Sequence, residues 1–200
     1  MKKITLLGMA FLISFGLLGV GYANWSSALT ISGNMTSVVP TTLHLNPSSA
    51  TDLTGTSHNL TSTELGYLTS NDSNKYTVGN NWPRSAPDNS IYVEFRFSPN
   101  LNSLSTVDSV SLTFVWFGQS KIDTAKLRIS SDNGTTWTEY TIGTIPSSDS
   151  TITLDLKNSY GVNTYSKVNN LMIRFEAGAS SSGSNTRTVH NQVQVDVTYR

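Results

Sequence analysis

Two glutamates have the residue type and placement that come closest to a catalytic arrangement. Glu94 and Glu176 each lie in a run of alternating apolar residues, so two strands would present them on one polar sheet face. Glycoside hydrolases use such a pair of carboxyl groups to cleave a glycosidic bond. Each glutamate, however, has an arginine two residues away on the same strand face, Arg96 or Arg174. Exposed cross-strand ion pairs explain all four residues, and we predict that the chain is not an enzyme.

Metal and thiol chemistry have even less support. The three histidines, His44, His58 and His190, lie far apart, and none has a partner at a metal-ligand spacing. The chain contains no cysteine, which excludes a disulfide framework and a thiolate nucleophile. The sequence therefore predicts no metal site and no cofactor.

Residues 130–137, SSDNGTTW, fit the pattern S-x-D-x-G-x-T-W. They resemble the Asp-box, a β-hairpin turn of sialidases and of many unrelated secreted β-proteins. In such a turn we expect Asp132 to accept hydrogen bonds from turn amides and Gly134 to supply a positive φ. Trp137 would pack the hairpin against its sheet. The motif predicts a structural turn and carries no information about catalysis.

Aromatic side chains offer the one alternative site, a platform on which sugar rings could stack. Trp82, Tyr92 and Tyr140 are the candidates for glycan binding, and Trp137, Tyr160 and Tyr165 are further rings expected to be exposed. The competing interpretation is that most of these rings cover the ends of the hydrophobic core.

The charge balance limits the possible partners. Net charge is zero, and charged residues make up 13% of the 200 residues, about half of the usual ~25%. The surface must therefore be built largely from Ser, Thr and Asn, without a basic patch for nucleic acid. Weak long-range repulsion between copies tolerates self-association.

Period-two alternation recurs after residue 24, whereas helical periodicity is hard to find. It predicts strands near 91–97, 110–117, 127–129, 137–142, 152–156, 171–175 and 189–199. Polar turn-rich stretches separate them. Many short, unevenly spaced strands indicate an all-β fold, an antiparallel β-sandwich of the jelly-roll type over residues 41–200.

The last strand shows the clearest alternation, and residues 46–90 the weakest. Val189 would share a face with the valines at 193, 195 and 197, and His190 would point the other way. Asn191 would be the one polar residue on the apolar face. Within 46–90, only 76–78 has the pattern of a strand, and NNWPRSAPDNS at 80–90 is predicted to be a loop.

Residues 1–23 have the layout of a secretory signal peptide. Lys2 and Lys3 precede an uncharged apolar run, and the small residues Gly21 and Ala23 come before a possible cut. A retained membrane anchor is the alternative, because the run is just long enough to span a bilayer. In both cases the body of the chain is expected outside the membrane. We predict a secreted or cell-surface protein that contacts the membrane only during export.

Residues 24–40 follow this leader as an extended segment and connector. Trp25, Leu29, Ile31 and Met35 share the odd-numbered face, and polar residues occupy the other face. Such a ribbon has an apolar face and unpaired backbone groups, so it is stable only as part of a sheet. It either pairs within its own subunit or adds to a neighbouring copy by β-augmentation. Pro40 disfavours a helix or a central strand in the connector.

A leader ending in GYA, an aromatic-bearing polar stretch and then LTISG resembles exported surface proteins of Gram-positive bacteria with SipW-type signal peptides. The TasA and camelysin biofilm-matrix proteins are the best-known members. The resemblance implies a secreted or cell-surface jelly-roll subunit that assembles into extracellular fibres, the N-terminal strand of one copy completing the sheet of the next. Under the alternative, the protein is a monomeric module that binds surface glycans.

Overall fold

The computed structural model describes residues 39–55, 57–78, 82–84, 87–181 and 186–200. Residues 40–200 form one compact unit. The described strands are β1 (Thr41–Leu45), β2 (Ser49–Asp52), β3 (His58–Asn59), β4 (Tyr76–Val78), β5 (Val93–Arg96), β6 (Val107–Gly118), β7 (Ile122–Ser130), β8 (Thr138–Ile142), β9 (Ser150–Asp155), β10 (Met172–Ala179) and β11 (Thr188–Tyr199). The described helices are α1 (Ser62–Gly66), α2 (Leu156–Tyr160) and α3 (Tyr165–Asn169).

The strands form two antiparallel sheets. The first has the order β1-β11-β6-β9, with β4 also pairing with β11, and the second has the order β3-β2-β5-β10-β7-β8. From β5 onward the chain changes sheet at every connection except the β7–β8 hairpin, so β1-β11-β6-β9 faces β5-β10-β7-β8. This arrangement of eight strands in two facing sheets is a jelly roll, and the predicted fold class is confirmed.

Phe175 lies at the centre of the core between the sheets. Its ring stacks on Phe114 with centroids 5.5 Å apart, and it meets the rings of Trp116 at 4.9 Å and His190 at 4.6 Å. All four side chains are fully buried. Because β10 supplies Phe175 and the facing sheet supplies the other three, this cluster joins the two sheets.

A bulge in β11 corrects the predicted faces of that strand. His190 and Gln192 pair with consecutive residues of β6, so Asn191 between them is an extra residue without a strand partner. One extra residue reverses which way the flanking side chains point. His190 therefore lies in the core and Val189 lies outside the core cluster, while the three later valines face inward as predicted. Asn191 donates from its side chain to Asn71 instead of facing the core.

Period-two alternation predicts none of the three short helices, and local capping explains each of them. Thr61 and Glu64 form a reciprocal capping box at the start of α1. Asp155 caps α2, so Leu156, predicted to end a strand, begins this helix. Thr164 caps α3 in the same way.

The predicted signal peptide, residues 1–23, and nearly all of the segment 24–40 lie outside the described residues. Within the described ranges, no helix has the length and apolar character needed to cross a membrane.

Candidate assembly surface

The described chain enters the jelly roll at one edge of the first sheet. Val39 is 75% exposed, and after Pro40 the chain continues as β1, which pairs with β11. The four residues predicted to face a partner, Trp25, Leu29, Ile31 and Met35, precede this entry and lie outside the described residues.

The opposite edge of that sheet is β9. It pairs with β6 on one side, and no strand of the described chain pairs with its other side. Its sequence, STITLD, contains no Lys or Pro, the residues that most often protect an edge strand from unwanted pairing. The outer edge of β9 therefore retains backbone groups that can receive another strand.

The core is incompletely covered beside this edge. Tyr140 of β8, Ile152 of β9 and Tyr160 of α2 pack against the core and remain only partly buried. Burial, and to a smaller extent the neighbouring Tyr140, raises the pKa of Tyr160, which agrees with the two rings lying close together. An open sheet edge and half-covered apolar side chains thus occur on one side of the sandwich.

The Asp-box turn has the predicted internal geometry. One Asp132 oxygen accepts hydrogen bonds from the Thr136 amide at 2.9 Å and from the Ser130 hydroxyl at 2.7 Å. The hydrogen bond from the Thr136 hydroxyl, together with these two, lowers the pKa of Asp132 to about 2. Gly134 has φ of 85°, and the Trp137 indole N–H donates to its carbonyl at 3.0 Å. The turn rests on the outer face of the second sheet, where Gly134 approaches Met172.

Replacing Gly134 by alanine is expected to destabilise the fold by about 1–2 kcal/mol, because an L-residue is strained at this φ. The added Cβ would also lie 3.4 Å from the end of Met172. Gly143→Ala is the control, since a Cβ there meets nothing within 4 Å. Urea unfolding measures the difference in stability between the two variants. Equal unfolding midpoints would contradict the predicted backbone strain at position 134.

The three predicted glycan-binding rings do not form a platform. Trp82 is 5% exposed and packs edge-on against Phe175, so the prediction that it is exposed is wrong. Tyr92 is half-buried and places its ring 3.9 Å from the Arg174 guanidinium carbon. Trp137 covers Arg174 at 4.1 Å, so one arginine occupies one face of each ring. Tyr140 is half-buried on β8, away from this stack.

The two candidate catalytic glutamates are ion-paired, but they are buried and not exposed as predicted. Glu94 is 5% exposed and accepts from Arg174 Nε at 2.8 Å and from Arg96 Nε at 2.9 Å. Glu176 is fully buried, 3.3 Å from Lys126 Nζ and 3.2 Å from Arg128 Nε. Burial raises the pKa of Glu176, and the two cations oppose that shift. Each carboxylate thus belongs to a separate ion-pair cluster.

The histidines occupy three unrelated places. His44 on β1 lies 2.7 Å from Asp196, His58 lies 3.7 Å from Glu64, and His190 is in the core. Among the residues that the structure describes, no three His, Cys, Asp or Glu side chains are grouped so as to hold a metal ion.

Comparison with known proteins assigns no family to the chain. No protein-family model matches it, and no curated protein is significantly similar to it.

Proposed function

We propose that the protein is a secreted structural subunit of an extracellular filament, in which residues 24–36 of one copy pair as a strand with β9 of the next. The observation that carries this proposal is the position of the two ends of the first sheet. The chain enters the sheet at one edge strand, β1, and β9 is the other edge strand, on the opposite side of the same four strands.

This placement favours an open polymer over a closed dimer. Three inter-strand spacings of about 4.8 Å separate the two edges, roughly 14 Å in all. A segment that leaves one edge and binds the opposite edge of another copy makes a head-to-tail contact. Such contacts propagate as filaments unless the rotation between copies closes a ring.

The chemistry of the segment matches the proposed acceptor. Its apolar face carries Trp25, Leu29, Ile31 and Met35, and the acceptor offers the partly covered Tyr140, Ile152 and Tyr160. Burying the four donor side chains contributes roughly 6–12 kcal/mol before the cost of ordering the segment. Backbone pairing along β9 offsets part of that cost.

The first test places charges on one face of the segment. Leu29→Asp combined with Ile31→Asp is expected to abolish filaments seen by electron microscopy, because both carboxylates would be buried against the acceptor. Thr30→Asp combined with Ser32→Asp is the matched control, with the same added charge on the opposite face, and should leave filaments in place. Filaments formed by the first variant, or lost equally in both, would refute the donor-strand arrangement.

The second test locates the acceptor. Wild-type filaments are compared by hydrogen exchange with the monomeric Leu29→Asp/Ile31→Asp protein. Amides of 150–155 are expected to gain protection in the filament, because the added strand pairs there. Protection that appears at another edge and not at β9 would contradict the acceptor assignment.

A further inference from the structure

A small polar cleft lies where the Asp-box turn meets β2 and β5. Its volume is about 200 Å³, below the ~300–1,000 Å³ of sites for drug-sized ligands, and thus suited to a single ring. Arg96, Asn133, Asn170, Ser49 and Ser98 provide hydroxyl, amide and guanidinium groups around it.

The cleft also has an apolar part. Met172 lines it, a buried residue whose side chain reaches the Asp-box turn near Gly134. A polar rim beside an apolar surface suits a ligand that has hydroxyl groups at its edge and C–H groups on its face, which is the surface of a sugar ring.

Arg96 is held in place within this cleft. Its Nε donates to Glu94 Oε1 at 2.9 Å, and its Nη1 donates to Asn133 Oδ1 at 3.2 Å. The side chain is nevertheless 49% exposed. A guanidinium fixed on two sides keeps free N–H groups in a defined direction, so it loses little entropy when it binds an anion.

The charge on this sheet face is unbalanced at Arg96. Among the described residues, Glu94 is the one carboxylate paired with Arg96 and Arg174, so this ion-pair cluster carries one positive charge in excess. The neighbouring cluster balances two cations with two carboxylates: Lys126, Arg128, Glu139 and Glu176. Side-chain exposure is 19% for Arg174 and Arg128 and 13% for Lys126, so the excess charge is most accessible at Arg96.

The two asparagines complement this charge. Asn133 accepts from Arg96 through Oδ1, so its Nδ2 group is a donor, and Asn170 uses Nδ2 to bond the Ser166 carbonyl, so its Oδ1 is an acceptor. The backbone N–H of Asn133 also donates a hydrogen bond to the backbone carbonyl of Asn170, at 3.1 Å. This bond connects the Asp-box turn to the end of α3. The turn therefore positions one wall of the cleft.

We propose that this cleft binds a carboxylate-bearing sugar ring, one unit of an acidic polysaccharide. Arg96 and Asn133 Nδ2 donate to the carboxylate, Ser49, Ser98 and Asn170 bond ring hydroxyls, and the ring face lies on Met172. This site is independent of the proposed filament contact, since it lies on the second sheet and β9 belongs to the first.

The test is calorimetric titration of the purified exported protein with the trimer of galacturonic acid, the neutral trimer of galactose, and sodium acetate. The acidic trimer is expected to bind at least about tenfold more tightly than either comparison ligand, because it alone has both a ring and a charge. Arg96→Gln should weaken the binding of the acidic trimer by about tenfold or more. Arg128→Gln removes an equal charge from the same sheet face. It should change the affinity for the acidic trimer by less than about twofold.

Several results would overturn the proposal. Equal binding of the neutral trimer would remove the role of the charge, and equal binding of acetate would remove the role of the ring. Equal weakening by Arg96→Gln and Arg128→Gln would show attraction to the whole face and no site. Absence of heat with the acidic trimer, in protein that still forms filaments, would reject this site and leave the filament proposal standing.

Discussion

Acidification from pH 7 to pH 4 is expected to cost the fold about 3 kcal/mol through His190 alone. Burial holds the pKa of this histidine at about 3, against an ordinary value of 6.5. Its ring touches Phe95, Phe114 and Phe175, and neither ring nitrogen has a hydrogen-bond partner within the described part of the chain. A proton on His190 would place an unpaired charge among aromatic rings.

The direction follows from where the proton binds. Between about pH 6.5 and pH 3 the unfolded chain protonates His190 and the folded chain does not. The contribution of His190 to stability is therefore complete above pH 6.5 and falls as the pH drops through this window. Buried Glu176, with its raised pKa, acts in the opposite direction, because its stabilising contribution is lost as pH rises.

Urea unfolding at pH 7 and pH 4 measures this effect. The loss of stability between the two pH values should be about 3 kcal/mol smaller in His190→Leu than in the wild type, because leucine cannot take up a proton. His44→Leu is the control, since His44 is an exposed histidine with a 68% exposed side chain. If His190→Leu and the wild type lost the same free energy of unfolding between pH 7 and pH 4, His190 would not be the source of the acid sensitivity.

The second large effect is expected from Phe175→Ala, which should lower the free energy of unfolding by about 3–5 kcal/mol. Phe175 lies within 6 Å, ring centre to ring centre, of Trp82, Phe114, Trp116 and His190. Its loss leaves a cavity between the two sheets, and three of the four rings around it, those of Phe114, Trp116 and His190, are held on paired strands that move little to fill it.

Phe117→Ala is the matched control for this prediction. Phe117 is half-buried outside the core cluster, and Lys75 lies 5.4 Å above its ring. We therefore expect Phe117→Ala to lower the free energy of unfolding by about 1 kcal/mol. Urea midpoints of the two variants give the comparison, and Phe175→Leu provides a milder variant if Phe175→Ala does not fold. Similar losses for Phe117→Ala and Phe175→Ala would show that the aromatic cluster does not join the sheets.

The sequence by itself determined the strands and the turn whose patterns are local. Alternation predicted most of β6 and β11 and parts of β7 and β10, because each needs one apolar face against the facing sheet. Residues 130–137 contain every group that the Asp-box turn uses, so the roles of Asp132, Gly134 and Trp137 were predictable. The helices were missed because they are five residues long and depend on capping.

The burial of several side chains was decided only by the tertiary structure. The bulge at Asn191 depends on how β11 pairs with β6, and it reverses the faces of Val189 and His190. Trp82 is buried because a strand distant in sequence brings Phe175 against it. Glu94 is buried because its arginine partners, one on its own strand and one on β10, meet over the sheet.

The open edge at β9 and the cleft at Arg96 were likewise decided by the tertiary structure. An edge is defined by which strand is last in a sheet, and strand order arises from long-range pairing that no short pattern encodes. The cleft joins β5, the Asp-box turn and the end of α3, three segments far apart in the chain. Local alternation and turn chemistry are properties of neighbouring residues, whereas edges and clefts exist only once distant segments have packed together.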